Sequence, residues 1–309
     1  MEDMFSGCIS FNQELGMWKL ERCQELGLDN CGMSVENYSK SLVGWAAQTN
    51  INQNLQLNAG GLKYNASAKA ARKQLIEGKN WRIRGDADEN DRPFITRWKG
   101  EAGKELRIPI NGYSYKLIIK KASDGSMLVT ENDCIGTYRY TPTEDGELLV
   151  EAGPEGVSSI RMQEYGQELG SCEALLRVEQ FGTVQWQTMK NAFRGCTNLQ
   201  FSAGIDTPDL SQVTNMSYMF YGCTSFNQSL NNWNVSQVTN MSGMFVGCTS
   251  FNQDLGMWKL ERCQELGLDN CGMSVENYSK SLVGWAAQTN IKQGLQLSAR
   301  ELRYNASGK

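Results

Sequence analysis

Histidine is absent from the 309 residues. The commonest general base and the commonest metal ligand are therefore both missing, and no serine or cysteine can be activated by an imidazole. Neither sign of charge is in marked excess. Thirty basic and 34 acidic residues leave a net charge of -4, so no global field draws DNA, RNA or anionic lipid. No basic run interleaves with aromatics in the way a phosphate backbone requires. No apolar stretch is long enough to span a bilayer. The opening MEDMFSGC carries acid where the basic start of a signal peptide belongs. Proline is scarce, while asparagine, glutamine, serine and glycine are plentiful, which points to an ordered chain rich in tight turns.

The remaining chemistry is thin. No Gly-x-Ser-x-Gly elbow occurs. Glu144, Asp145 and Glu147 lie around a turn and read as solvated carboxylates rather than a glycosidase pair. Asp86, Asp88 and Asp91 miss the calcium-loop spacing and its closing glutamate. Gly60 and Gly61 form a turn with no phosphate-loop lysine behind them. These readings predict no enzyme, no cofactor, no metal and no nucleic-acid partner.

What the chain does contain is repetition. LGMWKLERCQELGLDNCGMSVENYSKSLVGWAAQTNI runs from Leu15 to Ile51 and again, letter for letter, from Leu255 to Ile291. A second period of 25 residues is visible in TNMSYMFYGCTSFNQSLNNWNVSQV, from Thr214, and TNMSGMFVGCTSFNQDLGMWKL, from Thr239. A weaker copy begins at Met189, and Asp3 to Cys8 repeats the unit once more. The shared pattern is Val-x-x-Met-x-x-Met-Phe-x-x-Cys-x-x-Phe-Asn-Gln-x-Leu-x-x-Trp-x-Val. Such a unit is too short for its own core and must bury its apolar positions against its neighbours. Met-x-x-Met-Phe fits a short helix or 3₁₀ turn, and Leu-x-x-Trp-x-Val a short strand lining one face. Met1 aligns with Met241, so the chain is expected to begin inside a unit, as a truncated piece of a longer protein.

Other segments have their own periods. Tyr38, Leu42, Trp45 and Ala46 mark one stripe of a helix between Ser34 and Asn50. Asn65 can cap a second helix that Gly78 ends, and Trp81 to Arg84 alternates as a strand. Asp86 to Asp91 reads as an acidic linker. From Arg92 to Met162, six or seven short alternating segments with turns at Asp124-Gly125 and Asp145-Gly146 suggest a small β-sandwich.

Ten cysteines are present. Cys8, Cys196, Cys223 and Cys248 share one repeat position and read as structural: small buried hydrophobes making a weak bond to backbone. Cys23 and Cys31, with their copies Cys263 and Cys271, have a spacing that is neither a zinc knuckle nor a redox pair. A loop-closing disulfide and buried thiols both remain open for them.

Val213 to Phe220, Cys223 to Gln228 and Trp233-Asn234-Val235 resemble the BspA-type leucine-rich-repeat surface proteins of bacteria. By motif the resemblance covers residues 1–14 and about 186–262. It implies a curved solenoid with a strand ladder, an immunoglobulin-like domain before the repeats, and an exported or surface location with adhesive function. The sequence departs from that pattern in carrying only Ser123-Asp124-Gly125 where the family's sandwich often has Trp-Gly-Asp-Gly.

The resulting expectation is a mixed α/β repeat, with leucine-rich-repeat-like solenoid segments and caps, plus an all-β immunoglobulin-like sandwich. The expected boundaries are a partial repeat and helical cap over 1–85, a linker over 86–91, the sandwich over 92–163, the solenoid over 164–262 and a truncated second cap over 263–309. The expected role is non-enzymatic adhesion at a bacterial surface or outside the cell, toward host or bacterial surface proteins. Glycan binding and a spacer role are the alternatives. Trp233 and Trp258 read first as core, being in phase with Leu and Val. If exposed they would make an aromatic ladder, margined by Asn232, Asn234, Gln237 and Asn240. Tyr113, Tyr115, Tyr138 and Tyr140 would offer a second aromatic face.

Overall fold

The computed structural model describes residues 4–164 and 167–308. Two compact units divide between Asp91 and Arg92.

In the first unit, Ser34 caps the helix α1 (Val35–Ala47) by accepting the N–H of Asn37. The helix buries Tyr38, Leu42, Trp45 and Ala46, the stripe read from the sequence. The Trp45 indole donates to the Leu15 carbonyl at 2.8 Å, which fixes the helix to the loop before it. Three short strands, Glu25–Gly27, Gln56–Asn58 and Arg82–Arg84, pair in parallel and set Leu26, Leu57 and Ile83 in one row. The second helix is not continuous. A 3₁₀ turn over Ala66–Ala68 leads into α2 (Lys69–Lys73) and then a widened turn, Gln74–Gly78, inside which Leu75 is fully buried.

The expected linker is not one. Asp86 and Asp88 are buried, and Asp86 accepts from Arg72 Nε at 2.9 Å, Arg72 Nη2 at 2.8 Å and the Tyr38 hydroxyl at 2.8 Å. Burial, and behind it the Asp86 charge, holds the Tyr38 hydroxyl well above its ordinary range. Acidic composition suggested a solvated segment, but the buried Arg72 holds Asp86 inward, and Asp88 accepts the Asn90 N–H and pairs with Lys69.

The second unit is built on a six-stranded sheet. Its order is Met127–Cys134, Tyr115–Lys121, Gly146–Ala152, Phe94–Gly100, Leu175–Gln180 and Gln200–Phe201. All neighbours are antiparallel except the last pair. That last pair carries the sheet into the repeats, and one apolar core runs from Phe94 to Trp285. The boundaries expected at 163 and 262 fall inside this core.

The repeats themselves are mostly turns. Asn215 and Asn240 each accept the N–H two residues on, from Ser217 and Ser242, which diverts the Met-x-x-Met-Phe segment from helix. Successive units are joined by backbone bonds such as Tyr218 N–H to the Ser242 carbonyl, 2.9 Å, and Phe220 N–H to the Met244 carbonyl, 3.0 Å. Phe193, Phe220 and Phe245 stack at 5.8 and 5.6 Å. The thiols of Cys223 and Cys248 donate to the Phe193 and Phe220 carbonyls of the preceding units at 3.0 and 2.8 Å. The duplicated helix recurs as α3 (Val275–Ala286).

The expected mixed α/β solenoid with an immunoglobulin-like sandwich is overturned by these findings. Among the described residues helices are few, and the strands fall into seven separate sheets, most of two or three short strands. Among the described residues no continuous strand ladder follows the repeats: Asn215 and Asn240 form an isolated bridge and Asn240–Met241 is a two-residue strand. The Leu-x-x-Trp-x-Val segment, expected as a strand, joins no sheet among the described residues. The expected immunoglobulin-like sandwich of two antiparallel sheets does not appear among the described residues: beside the six-stranded sheet, Leu106–Ile108 with Tyr138–Tyr140 and Ile110–Gly112 with Val157–Ile160 are only two-stranded ribbons.

Candidate functional site

Inward and outward positions alternate where the chain leaves each unit. Trp233 and Val235 are buried, as are Trp258 and Leu260 one period later. Asn232 and Asn234 are left outside, and so are Met257, Lys259 and Glu261. The two segments lie side by side and frame an open groove of about 410 Å³, with Asn232 to Ser236 as one wall and Met257, Lys259 and Glu261 as the other. Beneath it the Trp258 indole donates to the Leu230 carbonyl at 2.9 Å, which locks one wall to the unit before it. The exposed Asn234 accepts the Ser236 N–H at 3.2 Å. The groove presents amides, one lysine, one glutamate and an exposed thioether.

The residues anticipated from sequence separate into groups. Asn232, Trp233 and Asn234 line the groove. Trp233 is 5% exposed and Trp258 1%, so the aromatic ladder does not reach solvent. Trp233 packs instead on Phe181 and Phe201, with ring centres at 5.5 and 6.1 Å. Gln237 is half-buried and outside the groove. Tyr113 is exposed, but Tyr115 is fully buried and donates its hydroxyl to the Gly136 carbonyl at 2.7 Å. Residues two apart share a face in a regular strand, but Tyr113 lies in the bend before the strand that begins at Tyr115, so one ring points to solvent and the other into the core. Of the repeat cysteines, Cys196, Cys223 and Cys248 are buried and Cys8 is exposed.

Two larger hollows, of about 540 and 600 Å³, flank the turn at Asp145. Their charges are already paired, Arg97 with Glu147 at 2.8 Å and Lys121 with Glu144, so they offer little to a ligand. Among the described residues no group of histidine, cysteine or carboxylates could hold a metal ion, and no helix is long and apolar enough to cross a membrane.

Residues 1–59 and 171–290 match one protein family, described as Mycoplasma protein of unknown function, DUF285, and together make up more than half of the chain. The chain belongs to this family. No curated protein and no solved structure matches it. The DUF285 match takes in both walls of the groove and nearly all of each duplicated segment, and leaves out residues 60–170, which hold most of the six-stranded sheet.

Met257, Lys259 and Glu261 were not singled out from the sequence, although the 25-residue period places them opposite Asn232, Asn234 and Ser236. A second group was also missed. Arg194 lies over the rings of Tyr218 and Tyr221, 5.1 and 4.6 Å from their centres. Arg194 and Tyr221 each precede a left-handed glycine, Gly195 and Gly222, so they hold equivalent places in adjacent units.

Proposed function

We propose that this chain is a non-enzymatic binding module of a bacterial surface or secreted protein, engaging a protein partner through the groove between Asn232–Ser236 and Met257–Glu261. The observation that carries the reading is Met257, 73% exposed on a wall rimmed by amides and opposite charges. A flexible thioether among polar groups that can each satisfy a hydrogen bond matches the make-up of protein interfaces. The surface location and adhesive role rest on the resemblance of the repeat motif to BspA-type proteins. Sugar stacking at this groove is disfavoured because both tryptophans are buried.

The test is a screen of the purified chain against immobilised matrix proteins, followed by Met257→Ser and Asn234→Ala on any saturable binder. Both side chains are exposed, so the fold should hold while affinity falls at least about tenfold if either is a binding anchor. Full affinity in the double variant would remove the groove from consideration.

A further inference from the structure

We propose that Arg194, Tyr218 and Tyr221 form a separate binding site for a carboxylated sugar, of the uronic acid class. The first observation is backbone strain. Tyr218 sits in the left-handed region at φ 57°, where the equivalent positions of the adjacent units hold Asn191 and Gly243. Asparagine and glycine enter that region readily, whereas a bulky aromatic there is an outlier held by its surroundings. Such strain collects where it has a use. The second is the path of the ring. A Cβ on Gly243 would lie 2.5 Å from the Tyr218 ring, so the ring is laid across a glycine that leaves it room. Tyr221 meets it at 62°, ring centres 6.0 Å apart, making an aromatic corner about one-third exposed.

The third observation is the arginine. Arg72 and Arg97 spend their guanidinium groups on buried or half-buried carboxylates. Arg194 makes no ion pair and no side-chain hydrogen bond among the described residues, and is held by the two rings alone. A guanidinium fixed by stacking keeps its N–H edge for a ligand, and that planar fork matches a carboxylate. Arg194 covers one side of each ring and Gly243 underlies Tyr218, so the partly exposed Tyr221 phenol is the remaining aromatic surface to suit the C–H face of a pyranose. The exposed footprint is two rings and one guanidinium, the size of a single sugar rather than of a peptide segment.

Calorimetric titration of the full chain with a galacturonic acid tetrasaccharide, a galactose tetrasaccharide and sodium acetate tests the site. Saturable binding of the uronide alone is expected. Arg194→Gln should weaken it at least about tenfold, since a charge-assisted bond is lost, and Arg194→Lys should fail to restore it. Tyr218→Asn should abolish binding while raising the melting temperature, because asparagine suits the backbone there. Equal binding of neutral and acidic sugars, no uronide binding, full affinity in Tyr218→Asn, or equally tight binding of a glutamate-rich peptide would each overturn the proposal.

Discussion

Substituting Asp86 with asparagine should unfold the first unit far more readily than its place in an acidic, loop-like stretch suggests. The carboxylate accepts three hydrogen bonds, two from the Arg72 guanidinium in a fork and one from the Tyr38 hydroxyl, all buried. An asparagine can accept with one oxygen only and turns an amide toward the guanidinium. The Arg72 guanidinium, which lies 5.2 Å from the centre of the Tyr64 ring, then loses the buried counter-charge it had in Asp86. Breaking a buried pair from one side costs about 3–5 kcal/mol. Against a total stability of roughly 5–15 kcal/mol, that is a third or more for a small domain. Tyr38→Phe removes a single bond to the same carboxylate and should cost about 1–2 kcal/mol. Glu89→Gln, exposed and three residues away, should stay within about 0.5 kcal/mol. Urea unfolding followed by hydrogen exchange resolves the effect, because protection should fall in peptides from residues 4–91 and not elsewhere. A loss below about 1 kcal/mol for Asp86→Asn would refute the buried-pair argument and restore the linker.

Two further outcomes follow from the second unit. Burial pushes the Cys248 thiol up to about 12 and Cys263 to about 11, from an ordinary value of 9.0, and raises Cys196 and Cys223 in the same direction. Above about pH 9 the unfolded chain loses these protons while the folded chain keeps them, so stability is intact below that pH and declines as pH rises through the folded values. The urea midpoint should therefore fall steadily between about pH 9 and 11. A flat profile would count against it, and Cys248→Ala should lessen the slope. Trp258→Phe should cost about 2–3 kcal/mol by leaving the Leu230 carbonyl without its indole donor and opening a gap under the groove. Unchanged denaturant stability would show that the ring is not core.

The sequence carried the local structure well where one period dominated. The stripe on α1 was legible because Tyr38, Leu42, Trp45 and Ala46 recur at helical spacing, with Ser34 ahead of them. The shared position of Cys196, Cys223 and Cys248 was legible from the repeat. The thiols that flank that row, Cys172 and Cys271, bear on Cys196 and Cys248 electrostatically but lie in segments without the Met-Phe signature. Solenoid and sandwich failed for a different reason. Both were inferred from the kind of unit present, whereas pairing depends on how side chains compete with the backbone. Asn215 and Asn240 close turns with their own side chains, and no spacing rule reveals that. The groove lay beyond reach because it forms between residues a full period apart.

The duplicated segment is an internal control for function. Its two copies share every residue, so a property common to both is encoded locally and any difference comes from the neighbours. Ser34 and Ser274 cap their helices at nearly the same dihedral angles, and Trp45 and Trp285 donate to equivalent leucine carbonyls at 2.8 Å in both. Exposure of the outer strip is also common: Met17 is 85% exposed where Met257 is 73%. Trp18 differs, being half-buried where Trp258 is fully covered by the unit before it. The strip is thus a property of the segment, whereas the groove needs the additional wall from Asn232 to Ser236. Partner binding that depends on Met257 and Asn234 but not on Met17 would place recognition in the groove. Equal losses from Met17→Ser and Met257→Ser, with Asn234→Ala silent, would place it in the strip and give the chain two equivalent sites.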